Sequence, residues 1–361
     1  MRICAFLRLR DRMEKYKDLK NNCLAIGSLP YNSVDEAMNI VRQFYYNIPF
    51  CPQLPNLSAK ENMIIQYLEN MPGIIFLENK VFIDKQKESF FDELKNLDLA
   101  LKNKYHQNIY GLTNEYSKCF SKFLELITEL KPKYAKVQVT GPFTLAMNLK
   151  DKKGQSAYYD NSFKISILNT LILKAIWQIN QIKKCSPDTT PIVFIDEPML
   201  SHLEISTFNE TSQDEITTML TKLSKEIQNS GALSAIHCCG KCNWSIPMNA
   251  EVNLINFDAF SYAENMNLYI RETDMFLKKG GRIVWGIVPT LDKEALINTN
   301  INELEEKLIR AKSYLTNNGI DKNLLDENSL ISTSCGCGSL SVELAEKALK
   351  LTKELSDKLK G

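Results

Sequence analysis

Short β-prone runs alternate with longer amphipathic stretches along most of this chain, and that alternation is what most limits its fold. Repeated strand-helix-strand units build a parallel sheet covered by helices. The runs that read as strands are CLAIG (23–27), AKVQVTG (135–141), PIVFID (191–196), LSAIHC (233–238), LINFD (254–258), RIVWGIV (282–288) and LISTSC (330–335). Ser33-Val34-Asp35-Glu36 is a capping-box start for a helix that ends near Tyr46. Residues 302–318 are periodic and charged, and Gly319 sits where a left-handed cap belongs. The last amphipathic run, SVELAEKALKLTKELSDKL, carries Val342, Ala345, Leu349 and Leu355 on or near one face.

One stretch departs from the alternation. GIIFLENKVFID (73–84) holds two short β-prone runs around Glu78-Asn79-Lys80, which reads as a decorating β-hairpin. The architecture expected is a single (β/α)8 TIM barrel with an N-terminal extension, seven strands being visible and an eighth expected between about residues 60 and 130. No repeat, low-complexity tract or Pro/Gly/Ser linker divides the chain, so its parts are a basic, poorly ordered tail at 1–21 and one barrel domain at 22–361.

Charge and cysteine content narrow the function classes. With 44 Lys+Arg against 43 Asp+Glu the formal charge is +1, which offers no general electrostatic reason to expect nucleic acid or an anionic membrane as partner. In MRICAFLRLRDRMEKYKDLK the apolar run is broken by Arg8, Arg10 and Arg12, so it does not read as a signal peptide. No stretch of about 18 uncharged apolar residues is present. Ten cysteines without a secretory signal point to a reducing, cytoplasmic setting, where clustered thiols mean metal or catalysis more often than disulfides.

Barrels of this kind do their chemistry at the C-terminal ends of the strands. The unusual residues fall at those ends: Ile26-Gly27-Ser28, Thr140-Gly141-Pro142, Asp196-Glu197-Pro198, His237-Cys238-Cys239, Asp258, and Ser334-Cys335-Gly336-Cys337. His237 and Cys239 are one residue apart, so on a strand their side chains leave the same face while Cys238 points the other way. A barrel brings Cys335 round beside them. One imidazole and two thiolates suit a single zinc ion, at about 2.0–2.1 Å and about 2.3 Å respectively, with a fourth position open to substrate or filled at rest by Asp258. Other readings stay open. Cys239, Cys242, Cys335 and Cys337 can be drawn as a closed Cys4 zinc site, the cysteines as a disulfide or inert core thiols, and Asp196 and Glu197 as caps for the following helix. His106 and His202 read as ordinary surface residues.

In order and spacing, CLAIGSLPYNSVDEAM, VTGPFTLAM, VFIDEPML, IHCCGKC and STSCGCGSLSVELAEKAL resemble the catalytic barrel of cobalamin-independent methionine synthase and the shorter stand-alone methyltransferases of the uroporphyrinogen-decarboxylase/methionine-synthase superfamily. The resemblance covers nearly the whole chain from about residue 22. It implies a zinc-dependent transfer of a methyl group onto a thiol, homocysteine, to give methionine. By it, His237, Cys239 and Cys335 are zinc ligands and Asp258 stands where the family has a glutamate ligand. The Ile26-Gly27-Ser28 turn binds the amino-acid carboxylate, Asp196 with Glu197 lies at its ammonium, and Glu61 is the candidate for a glutamate that contacts homocysteine.

Three departures bear on the donor. The second barrel of the full-length synthase is absent, Leu145-Ala146-Met147-Asn148 lacks the folate-stacking tryptophan, and GIVPTLDKE lacks a histidine the family carries. The implied donor is therefore a methylcorrinoid, presented by a corrinoid protein, rather than methyl-folate. Two rivals remain: a uroporphyrinogen-decarboxylase-like enzyme, which needs more arginine than Arg271, Arg282 and Arg310 offer, and a non-catalytic zinc- or corrinoid-binding barrel.

Overall fold

A computed structural model describes residues 16–77, 80–103, 108–203 and 211–361. The chain is an α/β protein built on a seven-stranded, wholly parallel sheet. Its strands are β1 (Cys23–Leu24), β4 (Tyr134–Thr140), β5 (Thr190–Asp196), β6 (Leu233–Cys238), β7 (Leu254–Phe257), β8 (Arg282–Val288) and β9 (Ser329–Thr333), and two more, β2 (Ile74–Leu77) and β3 (Lys80–Ile83), stand apart. The sheet order is β1-β9-β8-β7-β6-β5-β4. Helices occupy every connection from β4 to β9, and the Val342–Lys360 helix follows β9. Strands buried on both faces need near-continuous apolar runs, as β5 and β8 show.

The two faces are chemically distinct. Val137, Val193, Ile236, Cys238, Ile255, Phe257, Ile283 and Ile331 join the large core that packs the helices. The alternate positions, Leu24, Tyr134, Ile192, Phe194, Leu233, Ala235, Leu254, Val284 and Leu330, form a second, inner cluster. Because Leu24 and Tyr134 come from opposite edges of the sheet yet share that cluster, the sheet curls around it. Above this apolar floor, the same inner face turns polar toward the strands' C-terminal ends, with Lys136, Gln138, Asp196, His237, Asn256 and Ser332 all buried.

Several expectations are met closely. Ser33 Oγ accepts from the Glu36 amide at the start of the Val34–Phe44 helix, the Ile301–Thr316 helix is followed by Gly319 at φ +98°, and β2 and β3 pair as an antiparallel hairpin with Leu77 opposite Lys80. Glu78 and Asn79 at its turn, and His106, lie outside the described residues.

Others are corrected. No strand between residues 60 and 130 joins the sheet among the described residues. The edge between β1 and β4 is instead bridged by residues 49–53. Lys136 N donates to Pro49 O and Cys51 N to Lys136 O, while Gln53 N donates to Gly27 O and Leu29 N to Gln53 O. Pro49 and Pro52 lack the N–H a strand pattern requires, which hides this segment from a periodicity argument. CLAIG forms ladder pairs only at Cys23 and Leu24. Val342 is 40% exposed, outside the buried face of its helix.

The tail boundary also moves. Residues 16–21 pack onto the body: Leu19 is fully buried in the inner cluster, Asn21 N donates to Ser329 O, and Asn21 Nδ2 donates to Leu359 O. Leu19 thereby closes the apolar floor. Among the described residues no helix is long and apolar enough to cross a membrane.

Leu19→Ala is expected to destabilise the chain by about 2–5 kcal/mol, the range for emptying a buried leucine site. Val342→Ala is expected to stay within about 0.5 kcal/mol. Urea denaturation followed by circular dichroism measures both, and equal effects would contradict Leu19 as the floor of the inner cluster.

Candidate metal centre

In β5, β6 and β7 the parallel register sets Asp196 beside His237 and His237 beside Asn256. Register partners on adjacent strands share a face, so all three project into the inner cavity. Cys239 leaves β6 two residues after His237, and Cys335 leaves β9 two residues after Thr333. Among the described residues, His237, Cys239 and Cys335 form the group whose possible ligand atoms lie within 4.8 Å of one another.

The imidazole is fixed by hydrogen bonds that run across three further strands. His237 Nδ1 pairs with Asn256 Oδ1 at 2.5 Å, and Asn256 Nδ2 donates to Val284 O at 2.9 Å and to Ser332 Oγ at 2.8 Å. A carboxamide oxygen only accepts, so Nδ1 carries the proton and Nε2 presents its lone pair. Nε2 is buried and makes no hydrogen bond. An unsatisfied buried nitrogen is costly, whereas a metal-ligating histidine ordinarily has its other nitrogen fixed by such a partner.

Without a metal, the same groups act on one another as an imidazole–thiol pair. Burial pushes the His237 imidazole down, but the Cys239 sulfur and the Asp196 carboxylate outweigh it and raise it overall. Cys239 is lowered chiefly because the Cys335 thiol donates to it, with His237 adding to the effect, and Cys335 is raised in turn. One thiol of the pair is thus predisposed to ionise.

Loop contacts fix the second sulfur. Cys335 N donates to Thr290 Oγ1 at 3.0 Å, and Thr333 Oγ1 donates to Cys335 O at 2.8 Å. Ser28 O accepts from Cys337 N at 2.8 Å, and Ser28 Oγ accepts from Gly338 N at 3.3 Å. A Cβ at Gly336 would stand 2.1 Å from Ser28 Oγ, so glycine is what lets this loop close on Ser28.

The remaining candidates divide. Asp196 lies buried in the cavity, and its Oδ1 has no hydrogen-bond partner. Burial pushes its carboxyl up, while Lys136 and His237 pull it down. Glu197 points elsewhere: it accepts from Phe143 N at 2.9 Å, Thr144 N at 2.8 Å and Thr144 Oγ1 at 2.6 Å, capping the Pro142–Asn148 helix. Neither residue caps the turn that follows it: Glu197 makes no side-chain bond to the Pro198–His202 turn and is spent on the helix after β4. A Cβ at Gly141 would fall 2.0 Å from the Glu197 carboxyl carbon, so Thr140-Gly141-Pro142 serves this cap.

Glu61 is likewise committed, to Leu54 N at 2.5 Å and to Lys118 N, and braces two loops. Asp258 accepts from Ser261 N at 2.9 Å as the cap of the Ala259–Tyr262 turn. It stands close enough to feel the Cys239 and His237 charges, but it is not one of the grouped ligands. Ile26 offers a carbonyl that Lys136 Nζ occupies, and Gly27 adopts φ +147° over Gln138.

Cys238, Cys242 and Cys337 are buried in the helix-facing core, so the Cys4 arrangement is not formed. His202 sits in the Pro198–His202 turn, exposed, with Nδ1 3.1 Å from Ser201 Oγ. Sequence reasoning missed Asn256, although an asparagine amid LINF was a signal: an amide inside an apolar strand has to satisfy its hydrogen bonds somewhere. Lys136 was missed for the same reason. It is wholly buried, donates to Gln138 Oε1 at 2.6 Å, and burial lowers its ammonium to about 8.

No protein-family model and no curated protein matches this chain. Among solved structures it is similar to two pneumococcal proteins. One comes from work on inhibition of the virulence factor StrH and on N-glycan recognition and hydrolysis; it is 10% identical, with 96% of this chain and 86% of that one covered and a TM-score of 0.45. The other concerns the tandem GH20 catalytic modules of the pneumococcal exo-β-D-N-acetylglucosaminidase StrH, at 8% identity, 95% and 86% coverage and a TM-score of 0.41. Likeness at that level carries no inference about this chain's chemistry.

Zinc measured by inductively coupled plasma spectrometry is expected at one ion per chain, lost in His237→Ala, Cys239→Ser and Cys335→Ser and kept in Cys238→Ser and Cys242→Ser. Asn256→Ala is expected to weaken zinc about 10–100-fold, the usual range for removing a partner behind a ligating histidine. Dependence on Cys242 with independence from His237 would point to a structural knuckle instead.

Proposed function

We propose that this chain is a zinc-dependent thiol methyltransferase of the methionine-synthase-like class, a single (β/α)8 barrel that moves a methyl group onto homocysteine to give methionine. The observation that carries the reading is the His237 Nε2 lone pair, buried and unbonded, facing two sulfurs while Asn256 fixes the other ring nitrogen. Three protein ligands of this kind, with a further position open, are the donor set of catalytic zinc. Support for the eightfold barrel comes from residues 49–53, which hydrogen-bond to both β4 and the turn after β1.

Zinc bound there would supply the positive charge that keeps an acceptor thiol deprotonated at neutral pH. The chain's own groups do the rest. Asp196 Oδ1 is a buried acceptor in want of a donor and suits the acceptor's ammonium. Ser28 Oγ and O are already taken by the Cys335 loop, so the amino-acid carboxylate falls to main-chain N–H groups of the Ile26-Gly27-Ser28 turn. Lys136, below Asp196, adds positive charge on the carboxylate's side of the cavity. Neither Glu61 nor Glu197 retains a binding role, since backbone amides occupy both.

The decarboxylase alternative loses Arg282, which starts β8 at the far end from the rim and donates to Glu327 O at 3.0 Å. A zinc- or corrinoid-storing barrel stays distinguishable by activity. Methionine is expected when the zinc-loaded chain receives homocysteine and methylcobalamin, and not with methyl-folate. Asp196→Asn is expected to raise the homocysteine KM about tenfold or more at unchanged zinc content. X-ray absorption is expected to gain one sulfur on addition of homocysteine. Full zinc occupancy with no methionine from either donor, and with unaltered coordination, would identify the storage role.

A further inference from the structure

A cleft of about 730 Å³, within the range of small-molecule sites, lies between the loop after β7 and the Ile301–Thr316 helix. Its charge is lopsided. Lys241, Lys307 and Arg310 line it, and none of the three is in an ion pair among the described residues. The carboxylate on its wall, Glu264, accepts from Tyr314 OH at 2.7 Å and keeps its charge, which leaves three cations against one anion in the lining. On a chain with formal charge +1, three unpaired cations around one concavity are a local concentration rather than a property of the whole surface.

Rings accompany the charge. Phe260, Tyr262 and Tyr314 line the same cleft, and Lys307 Nζ stands 3.7 Å from the Phe260 ring centroid. That contact holds Lys307 at the junction with a smaller hollow lined by Glu303 and Glu306, whose acidity disfavours an anion on that side. Two links join the cleft to the centre. Lys241 is two residues past Cys239, and Ser261 in the cleft wall donates to Asp258, which lies close to Cys239 and His237.

We propose that this cleft binds an anionic group carried on a planar ring, a phosphate or carboxylate held by Lys241, Lys307 and Arg310 with the ring against Phe260 and Tyr314. Its links to Cys239 through Lys241 and to Asp258 through Ser261 assign it the anionic, ring-bearing portion of the methyl donor, a role that rests on the methyl-transfer reading above. The acceptor's groups are met at Asp196 and the Ile26-Gly27-Ser28 turn, none of which lines the cleft.

Calorimetry on the whole chain at low salt, with phenyl phosphate and inorganic phosphate as probes, tests the binding. Phenyl phosphate is expected to bind once per chain and more tightly than inorganic phosphate. The Lys307→Ala/Arg310→Ala pair is expected to weaken it about tenfold or more, with zinc content and circular dichroism unchanged. Equal affinity in parent and double variant, or binding by neither, overturns the proposal. In the methyl-transfer assay the same variant is expected to raise the donor's KM about tenfold and leave that of homocysteine alone; a rise confined to homocysteine overturns the donor assignment. Failure of the methyl-transfer reading shows differently, as phenyl phosphate binding through Lys307 and Arg310 in a chain that makes no methionine.

Discussion

The hydrogen bond between His237 and Asn256 is the constraint on which the centre depends. It selects the imidazole tautomer, aims Nε2 at the two sulfurs, and uses an amide that is itself tied to β8 and β9 through Val284 and Ser332. Four adjacent strands therefore determine where one lone pair points. Such a network is stable only when every member is satisfied, and here the unsatisfied positions are His237 Nε2 and Asp196 Oδ1, both in the cavity. Both therefore offer the cavity a polar atom with no hydrogen-bond partner of its own.

The curled sheet makes that burial possible by separating its inner face into two zones. Leu19, Leu24, Ile192, Leu233, Leu254 and Leu330 form a dry floor. The polar residues lie above it, where Lys136 and Asp196 offset each other's charge inside the wall. Without the floor, water would reach the polar zone from below and weaken every charge interaction in it. The loops add a second layer of positioning: Ser28 holds the Cys335 loop, and Glu197 anchors the helix after β4.

Much of this was legible in the chain itself. Strand β6 and strand β8 coincide with the apolar runs read for them, because parallel strands buried on both faces leave a strong, short signal. The His237-x-Cys239 spacing placed both side chains on one face and Cys238 on the other, and Cys238 does pack among the helices. The bridging segment at 49–53 was not legible, since Pro49 and Pro52 break the strand pattern while neighbouring backbones supply the pairing. Nor was the docking of Leu19, a lone apolar residue in a charged tail whose burial depends on a cavity that exists only once the sheet curls.

Spacing and residue type by themselves determined the parallel α/β class, the face shared by His237 and Cys239, and the strand ends where reactive groups gather. Tertiary structure decided the allocation of the carboxylates. Asp196 and Glu197 are neighbours of similar chemistry in the sequence, yet alternation along a strand sends one into the cavity and the other onto the Phe143 and Thr144 amides. Asp258 and Glu61 are likewise claimed by local N–H groups. A carboxylate's role depends on which donors reach it first, and for Glu197 and one side of Glu61 those donors come from segments tens of residues away that only folding brings near.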